Sequence, residues 1–147
     1  MKNKSIAIIL LLFISISCKS RKDQTSASST VQSTQTDSLE LEARKMKIAE
    51  MTTHRLVVSF ISIGEGISNS GKEMVENYIT QSESKYQVKI ARIAKNWGRE
   101  GETDFLFSLA ELNDGQQAEF INGLRELVKS NNLIQIEENK PVRAYRN

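Results

Sequence analysis

The hydrophobic positions between residues 54 and 136 switch between strand-like and helix-like patterns. Residues 55–63 are mainly β-branched or aromatic and end at Gly64, which predicts a strand that is buried on both faces. Residues 70–83 predict a helix, because their apolar positions fall on one face of a 3.6-residue period. Those positions are Met74, Val75, Tyr78 and Ile79.

Two alternating segments follow this helix and predict a β-hairpin. Residues 86–93 and residues 103–112 alternate apolar and polar positions, and the turn-rich segment 97–101 lies between them. The pattern predicts that one face of the hairpin contributes to the core. The residues of that face are Tyr86, Val88, Ile90, Phe105, Phe107 and Leu109.

A second helix and a short last strand complete the pattern. Asn113 or Asp114 is a suitable N-cap, and the helix that follows carries a clear apolar stripe. The stripe consists of Phe120, Ile121, Leu124, Leu127 and Val128. Residues 133–136 predict the strand, and the chain from Glu137 onward is predicted to be a polar tail.

The predicted order β-α-β-β-α-β resembles the ferredoxin-like, or split βαβ, fold. The resemblance implies an α+β domain over residues 54–147, with a four-stranded antiparallel sheet and two helices on one face. The other face is then a candidate docking surface, unless self-association or a helix at residues 39–51 covers it. Its predicted residues are Val57, Ser59, Ile61, Gln87, Lys89, Leu106, Ser108 and Ala110.

The region before the domain divides into two parts. Residues 39–53 are rich in helix-forming residues and predict a short helical lead-in. Residues 18–38 are rich in Ser, Thr and Gln and cannot form a core, so they predict a disordered linker.

The N-terminus has the pattern of an export signal. Lys2 and Lys4 precede an uncharged, mostly apolar run at residues 5–17. This run is shorter than the roughly 20 residues that a membrane-spanning helix needs. It matches the apolar core of a signal peptide, which predicts that residues 1–17 are removed.

The end of this run, Ser15-Ile16-Ser17-Cys18, resembles the lipobox of bacterial lipoproteins. The resemblance implies that Cys18 carries a diacylglyceryl group and an acylated (palmitate-type) N-terminus, and that these lipids anchor the protein in a membrane. Lys19 is not the aspartate associated with inner-membrane retention, which favours the outer membrane. The alternative is a plain secretory signal, with Cys18 as a spare thiol.

Composition excludes several classes of function. The chain has 20 Lys and Arg and 18 Asp and Glu, so loss of Lys2 and Lys4 leaves a formally neutral protein. Neutrality argues against nucleic acid as a partner. One Cys and one His exclude a disulfide framework and a closed Cys/His zinc site. No cofactor is expected, and His54 is interpreted as a surface residue.

Two motifs invite a functional interpretation. The segment from Gly66 to Lys72 matches the start of a phosphate-binding P-loop, but Glu73 occupies the hydroxyl position and would repel phosphate. The polar segment 97–104 contains Trp97 and Arg99, residue types that are enriched in binding hot spots. Its carboxylates Glu100, Glu102 and Asp104 have strand spacing, which leaves Ca²⁺ binding as an alternative.

The sequence contains no recognisable catalytic constellation. Glu137 and Glu138 are adjacent, so on a strand they would point to opposite faces and could not act as a pair. The favoured hypothesis is a non-catalytic interaction module, or accessory subunit, with an envelope protein as its partner. Its candidate contact residues are Trp97, Arg99, Glu100 and Glu102. The alternative is a lipoprotein that binds a small ligand or an ion.

Overall fold

A computed structural model describes residues 29–64, 66–141 and 143, with side chains from residue 36 onward. The predicted signal peptide at residues 1–17, the lipid site at Cys18 and the first part of the linker lie outside the described residues. Along the described chain, no helix is long and apolar enough to cross a membrane.

The described elements form an α+β fold around one sheet, and this level of the predicted fold class is confirmed. In order they are α1 (Ser29–Glu50), β1 (Thr53–Phe60), α2 (Asn69–Tyr86), β2 (Arg92–Asn96), β3 (Thr103–Phe107), α3 (Asp114–Val128) and β4 (Ile134–Pro141). The strand order is β2-β3-β1-β4, and every neighbouring pair is antiparallel. The domain has three helices instead of the two in the predicted arrangement, because α1 also packs on the sheet.

The first face of the sheet lies beneath α2 and α3 and carries most of the core. The predicted inward residues Phe105, Phe107 and Leu109 all belong to this core. The Phe107 ring meets Phe120 of α3 at 6.1 Å between ring centroids, and Phe60 meets Phe105 at 5.0 Å. Both ring pairs meet edge to face, an arrangement that aromatic quadrupoles favour.

The caps of α2 and α3 explain where both helices begin. The Ser68 hydroxyl accepts a hydrogen bond from Gly71 N at 3.1 Å and caps α2. Asn113 and Gln116 form a reciprocal capping box on α3, with bonds of 3.0 and 3.1 Å. Each cap satisfies backbone N–H groups that have no partner within the first turn.

The predicted strand at residues 86–93 is wrong. Helix α2 continues to Tyr86 and ends at Gln87, whose backbone is left-handed with φ 55°. The Gln87 N–H returns to the Glu83 carbonyl, a C-cap that stops the helix. Strand β2 begins only at Arg92, so Gln87 and Lys89 lie in the connection and not on a sheet face.

Strands β1 and β3 are both shorter than predicted. Strand β3 ends at Phe107, since Leu109 has a left-handed backbone with φ 55°. Gln117 of α3 donates to the carbonyls of Leu109 and Leu112 at 3.0 and 2.9 Å and fixes this turn. Ser108 and Ala110, like Ile61 after β1, therefore lie beyond the ends of the strands.

Strand β4 is longer than predicted, and the expected polar tail is wrong from Glu137 to Pro141. Its polar residues belong to an edge strand whose backbone pairs with β1, so the strand does not need an apolar pattern. Glu138 binds Arg55 and Arg125 on the helix side, whereas Glu137 pairs with Lys140. The two glutamates have different partners, as their adjacent positions on a strand predict.

Helix α1 covers part of the second face. Ile48 is fully buried in a small apolar cluster with Val57, Ala91 and Leu106. The helix begins at Ser29 and not at residue 39, so residues 29–38 are helical where a disordered linker is predicted. The sequence left two possible covers for the second face, self-association or a helix at residues 39–51. The structure contains the helix.

Candidate interaction surface at the hairpin tip

Trp97 is held in place at the end of the β2–β3 hairpin. Its indole Nε1 donates to Asp104 Oδ1 at 2.8 Å. The Arg143 guanidinium carbon lies 4.2 Å from the centroid of the Trp97 ring, and Arg143 Nε lies 3.6 Å from Asp104 Oδ2. Asp104 is almost completely buried, so these contacts balance a carboxylate that burial would otherwise make costly.

Glu100 ties the hairpin to the loop that follows β1. Its carboxylate accepts hydrogen bonds from Ser62 Oγ and from Gly64 N, the latter at 3.0 Å. Ile63, between these two residues, is 81% exposed. We call residues 62–64 and 97–102 together the tip surface, because Glu100 joins the two segments.

Glu102 shapes the turn of the hairpin from within. Its carboxylate accepts from Glu100 N at 2.9 Å and lies directly against Gly98. A Cβ atom at Gly98 would be 1.8 Å from Glu102 Oε2, so only glycine allows this approach. Arg99 is exposed at the turn.

The predicted contact residues Trp97, Arg99, Glu100 and Glu102 all lie in the tip surface. The carboxylates of this region, however, bind different partners. Glu100 binds the loop after β1, Glu102 binds the turn, and Asp104 binds Trp97. These contacts weaken the Ca²⁺ hypothesis, since each carboxylate already has protein partners. Within the described residues, no group of three His, Cys, Asp or Glu is arranged to hold a metal ion.

The segment from Gly66 to Lys72 has a packing role. A Cβ atom at Gly71 would lie 3.0 Å from both Asn131 and Ile134, so glycine lets α2 approach the start of β4 closely. Lys72 Nζ lies 5.6 Å from the centroid of the Phe105 ring. These contacts support a polar, glycine-rich connection over a phosphate-binding loop.

His54 is buried, so its interpretation as a surface residue is wrong. It is 1% exposed, and its Nδ1 has no hydrogen-bond partner among the described residues. Burial lowers the pKa of His54 from its ordinary value of 6.5. The residue lines a cavity of about 10 Å³, which we call the His54 cavity. Its other lining residues are Val57, Asp104, Leu106, Lys140, Pro141 and Arg143.

Sequence reasoning missed two residues of this region, Ile63 and Arg143. Ile63 ends an apolar run and reads as the last residue of a buried strand, although β1 ends at Phe60. Arg143 lies far from Trp97 in the chain, and no local pattern indicates their contact. The glycines at positions 64 and 66 were the one available signal for Ile63, because closely spaced glycines indicate a turn.

A larger cavity of about 420 Å³ lies between α1 and the C-terminal end of α2. Four of its charged side chains form pairs across or beside it, Arg44 with Glu40 and Lys89 with Glu83. Arg44 also donates to the Lys89 carbonyl at 3.3 Å. The volume suits a small ligand, but the lining is mainly polar and most of its charged side chains are already paired.

Comparisons of the chain with protein-family models, with curated proteins and with solved structures found no match.

Proposed function

We propose that this protein is a lipid-anchored bacterial envelope protein whose domain is a non-catalytic interaction module. In this proposal Cys18 carries the lipid, residues 1–17 are the removed signal, and the outer membrane is the favoured location. The domain is a ferredoxin-like fold with α1 added on its second face. The strand order β2-β3-β1-β4 and the placement of the core beneath α2 and α3 support that assignment.

The tip surface carries the functional part of the proposal. It presents Ile63, 81% exposed, on the segment that Glu100 joins to the hairpin carrying the half-buried Trp97 and the exposed Arg99. Burial of the Ile63 side chain against a partner would remove its apolar surface from water, which is favourable. Glu100 and Glu102 hold the two segments in one conformation, so a partner would bind without first ordering them.

The test is cross-linking in intact cells with matched variants. Ile63→Ser and Trp97→Ala should each reduce recovery of the cross-linked partner about tenfold, since central apolar and aromatic contacts dominate interface energies. Met46→Ser is the control, because Met46 is an apolar residue 67% exposed on α1 and is not part of the tip surface. Equal recovery with Ile63→Ser and Met46→Ser would contradict the proposed site.

Stability measurements separate loss of binding from loss of fold. Ile63→Ser removes an exposed side chain and should leave the melting temperature within about 1 °C of wild type. Trp97→Ala also removes the cover of Asp104, so its melting temperature should fall by a few degrees. Ile63→Ser is therefore the more informative variant.

Anchoring is tested separately with Cys18→Ala. Without the thiol no diacylglyceryl group can be attached, and the protein should leave the membrane fraction. Full retention of the variant in membranes would contradict the lipoprotein part of the proposal and would not affect the tip surface.

A ligand-binding lipoprotein is the second candidate, and the 420 Å³ cavity is the observation that favours it. A ligand that binds only the folded state raises the melting temperature by mass action. A rise that Arg44→Ala abolishes and Ile63→Ser preserves would favour this candidate over the interaction module.

A further inference from the structure

Unpartnered buried polar atoms concentrate on the second face of the sheet. The described residues contain four buried side-chain atoms without a hydrogen-bond partner. Three of them, His54 Nδ1, Ser59 Oγ and Glu137 Oε2, lie on the neighbouring strands β1 and β4. Buried polar atoms are nearly always paired, so this part of the structure is held at a cost in free energy.

Burial at the His54 cavity disfavours a positive charge on the imidazole. Lys140 of β4 lies directly opposite His54 in the strand register, and Arg143 follows at the end of the described chain. Asp104 of β3 is the carboxylate in the cavity lining, and Arg143 and Trp97 already contact it. Glu137 is held by Lys140. A protonated imidazole would therefore be poorly solvated, in a cavity too small to admit more than about one water and beside two cations whose carboxylate neighbours are already engaged.

The end of β4 is the weakest element around this cavity. Strand β1 is paired on both sides, whereas β4 is an edge strand. Asn139 interrupts its regular backbone with φ 50°, and Pro141 provides no backbone N–H. Strand ends at a sheet edge open at a lower free energy than the core.

We propose that His54 is a pH-sensitive latch: when its imidazole takes a proton from solvent, the last residues of β4 loosen and Arg143 leaves Trp97. Opening the strand end lets water reach the imidazolium, which costs less than keeping an unpaired charge buried. The depressed pKa of His54 agrees with this order of events. The latch concerns the fold itself and does not depend on the tip surface being a binding site.

The chain is well suited to the test, because it contains one His and one Trp. Trp97 fluorescence is recorded on the purified full-length protein while pH is lowered from about 7.5 to about 5, the range in which His changes charge. Loss of the Arg143 cover should shift the emission to longer wavelength, with a midpoint below 6.5. His54→Gln should remove the shift. A wild-type protein without a shift, or an equal shift in the variant, would overturn the latch.

A second pair of variants keeps the test decisive if His54→Gln does not fold. Lys140→Gln removes a cation facing the imidazole and should raise the midpoint by about half a pH unit. Lys129→Gln, whose exposed side chain pairs with Glu126 on α3, should leave the midpoint unchanged. Equal midpoints for both variants would overturn the proposal. These measurements need no partner, so their failure is distinguishable from failure of the proposed function.

Discussion

The two faces of the sheet are built on different principles. The first face is covered by α2 and α3 and joins fifteen buried residues into one apolar cluster. Among the described residues, the second face has a cluster of only four buried residues, one of them Ile48 of α1, and buried polar groups extend from it toward β4. Adjacent residues of one strand therefore experience different surroundings: Phe107 faces a packed core, and Leu106 lies between α1 and the His54 cavity.

This difference indicates which face of the sheet can change conformation. Close packing resists small movements, because any displacement creates voids or overlaps. Opening the second face should cost less free energy, because only one helix covers it and several of its buried polar atoms are unpaired. We expect stability to come mainly from the first face and conformational response from the second.

Truncation of one leucine on each face tests this comparison with the largest expected effect. Leu124→Ala, in α3, should lower the free energy of unfolding by about 4 kcal/mol, and Leu106→Ala by about 2 kcal/mol. Leu124 is fully enclosed by the larger cluster, whereas α1 can move to close the space left by Leu106. Urea denaturation of both variants gives the values. Equal losses would contradict the asymmetry.

A glycine in α3 tests how tightly the first face is packed. A Cβ atom at Gly123 would lie 2.0 Å from the Tyr78 hydroxyl, which donates to the Phe120 carbonyl at 3.1 Å. Gly123→Ala should cost about 1–2 kcal/mol, although alanine favours the helix. Gly115→Ala is the control, since its nearest contact is at 3.4 Å, and it should be neutral or slightly stabilising. Thermal unfolding of the pair decides the point.

The smallest effect concerns acid sensitivity, which should differ between the faces. A hydrogen bond from Arg55 lowers the pKa of Glu138 below its ordinary value of 4.5, with help from Arg125 and against the effect of burial. The stabilisation is therefore complete above pH 4.5 and is lost as pH falls further. We call this loss of stability at low pH the acid branch. Glu138→Gln should make the free energy of unfolding less dependent on pH in this range. Glu126→Gln, on the exposed surface of α3, should not.

The dependence of stability on pH near neutrality, which we call the neutral branch, belongs to the second face. The pKa of His54 is lowered in the folded state, so the unfolded chain takes up its proton first, and stability falls as pH drops below 6.5. Glu138→Gln should leave this branch intact. If it removed both branches, the two faces would not respond independently.

Local patterns predicted the first face well. The stripe of α3, the cap at Asn113 and the inward direction of Phe105 and Phe107 all follow from periodicity and from side-chain chemistry near the helix start. The alternation around Val88 misled, because one left-handed residue, Gln87, ended the helix and separated the apolar residues from any strand. A left-handed C-cap is usually glycine, and when another residue type such as Gln takes that position the sequence does not reveal it.

The second face could not be predicted from local patterns. β4 is an edge strand and can be polar. Its strand conformation depends on backbone pairing with β1, which its own side-chain pattern does not reveal. The burial of His54 depends on β3 and on β4 with the nearby Arg143, two segments that are distant from His54 in the sequence. For the candidate site, Trp97 and Arg99 were indicated by residue type, whereas Ile63 joins them only through the hydrogen bonds of Glu100.

The position of β1 has a mechanical consequence. Its first residue follows α1, and its last residue leads into the loop that carries Ile63, so one central strand of eight residues connects the N-terminal side to the tip surface. Under the proposed function, tension between the lipid anchor and a bound partner would pull β1 lengthwise between β3 and β4. Hydrogen bonds on both sides would resist this shear together, while the few side chains that hold α1 would detach first and extend the connection.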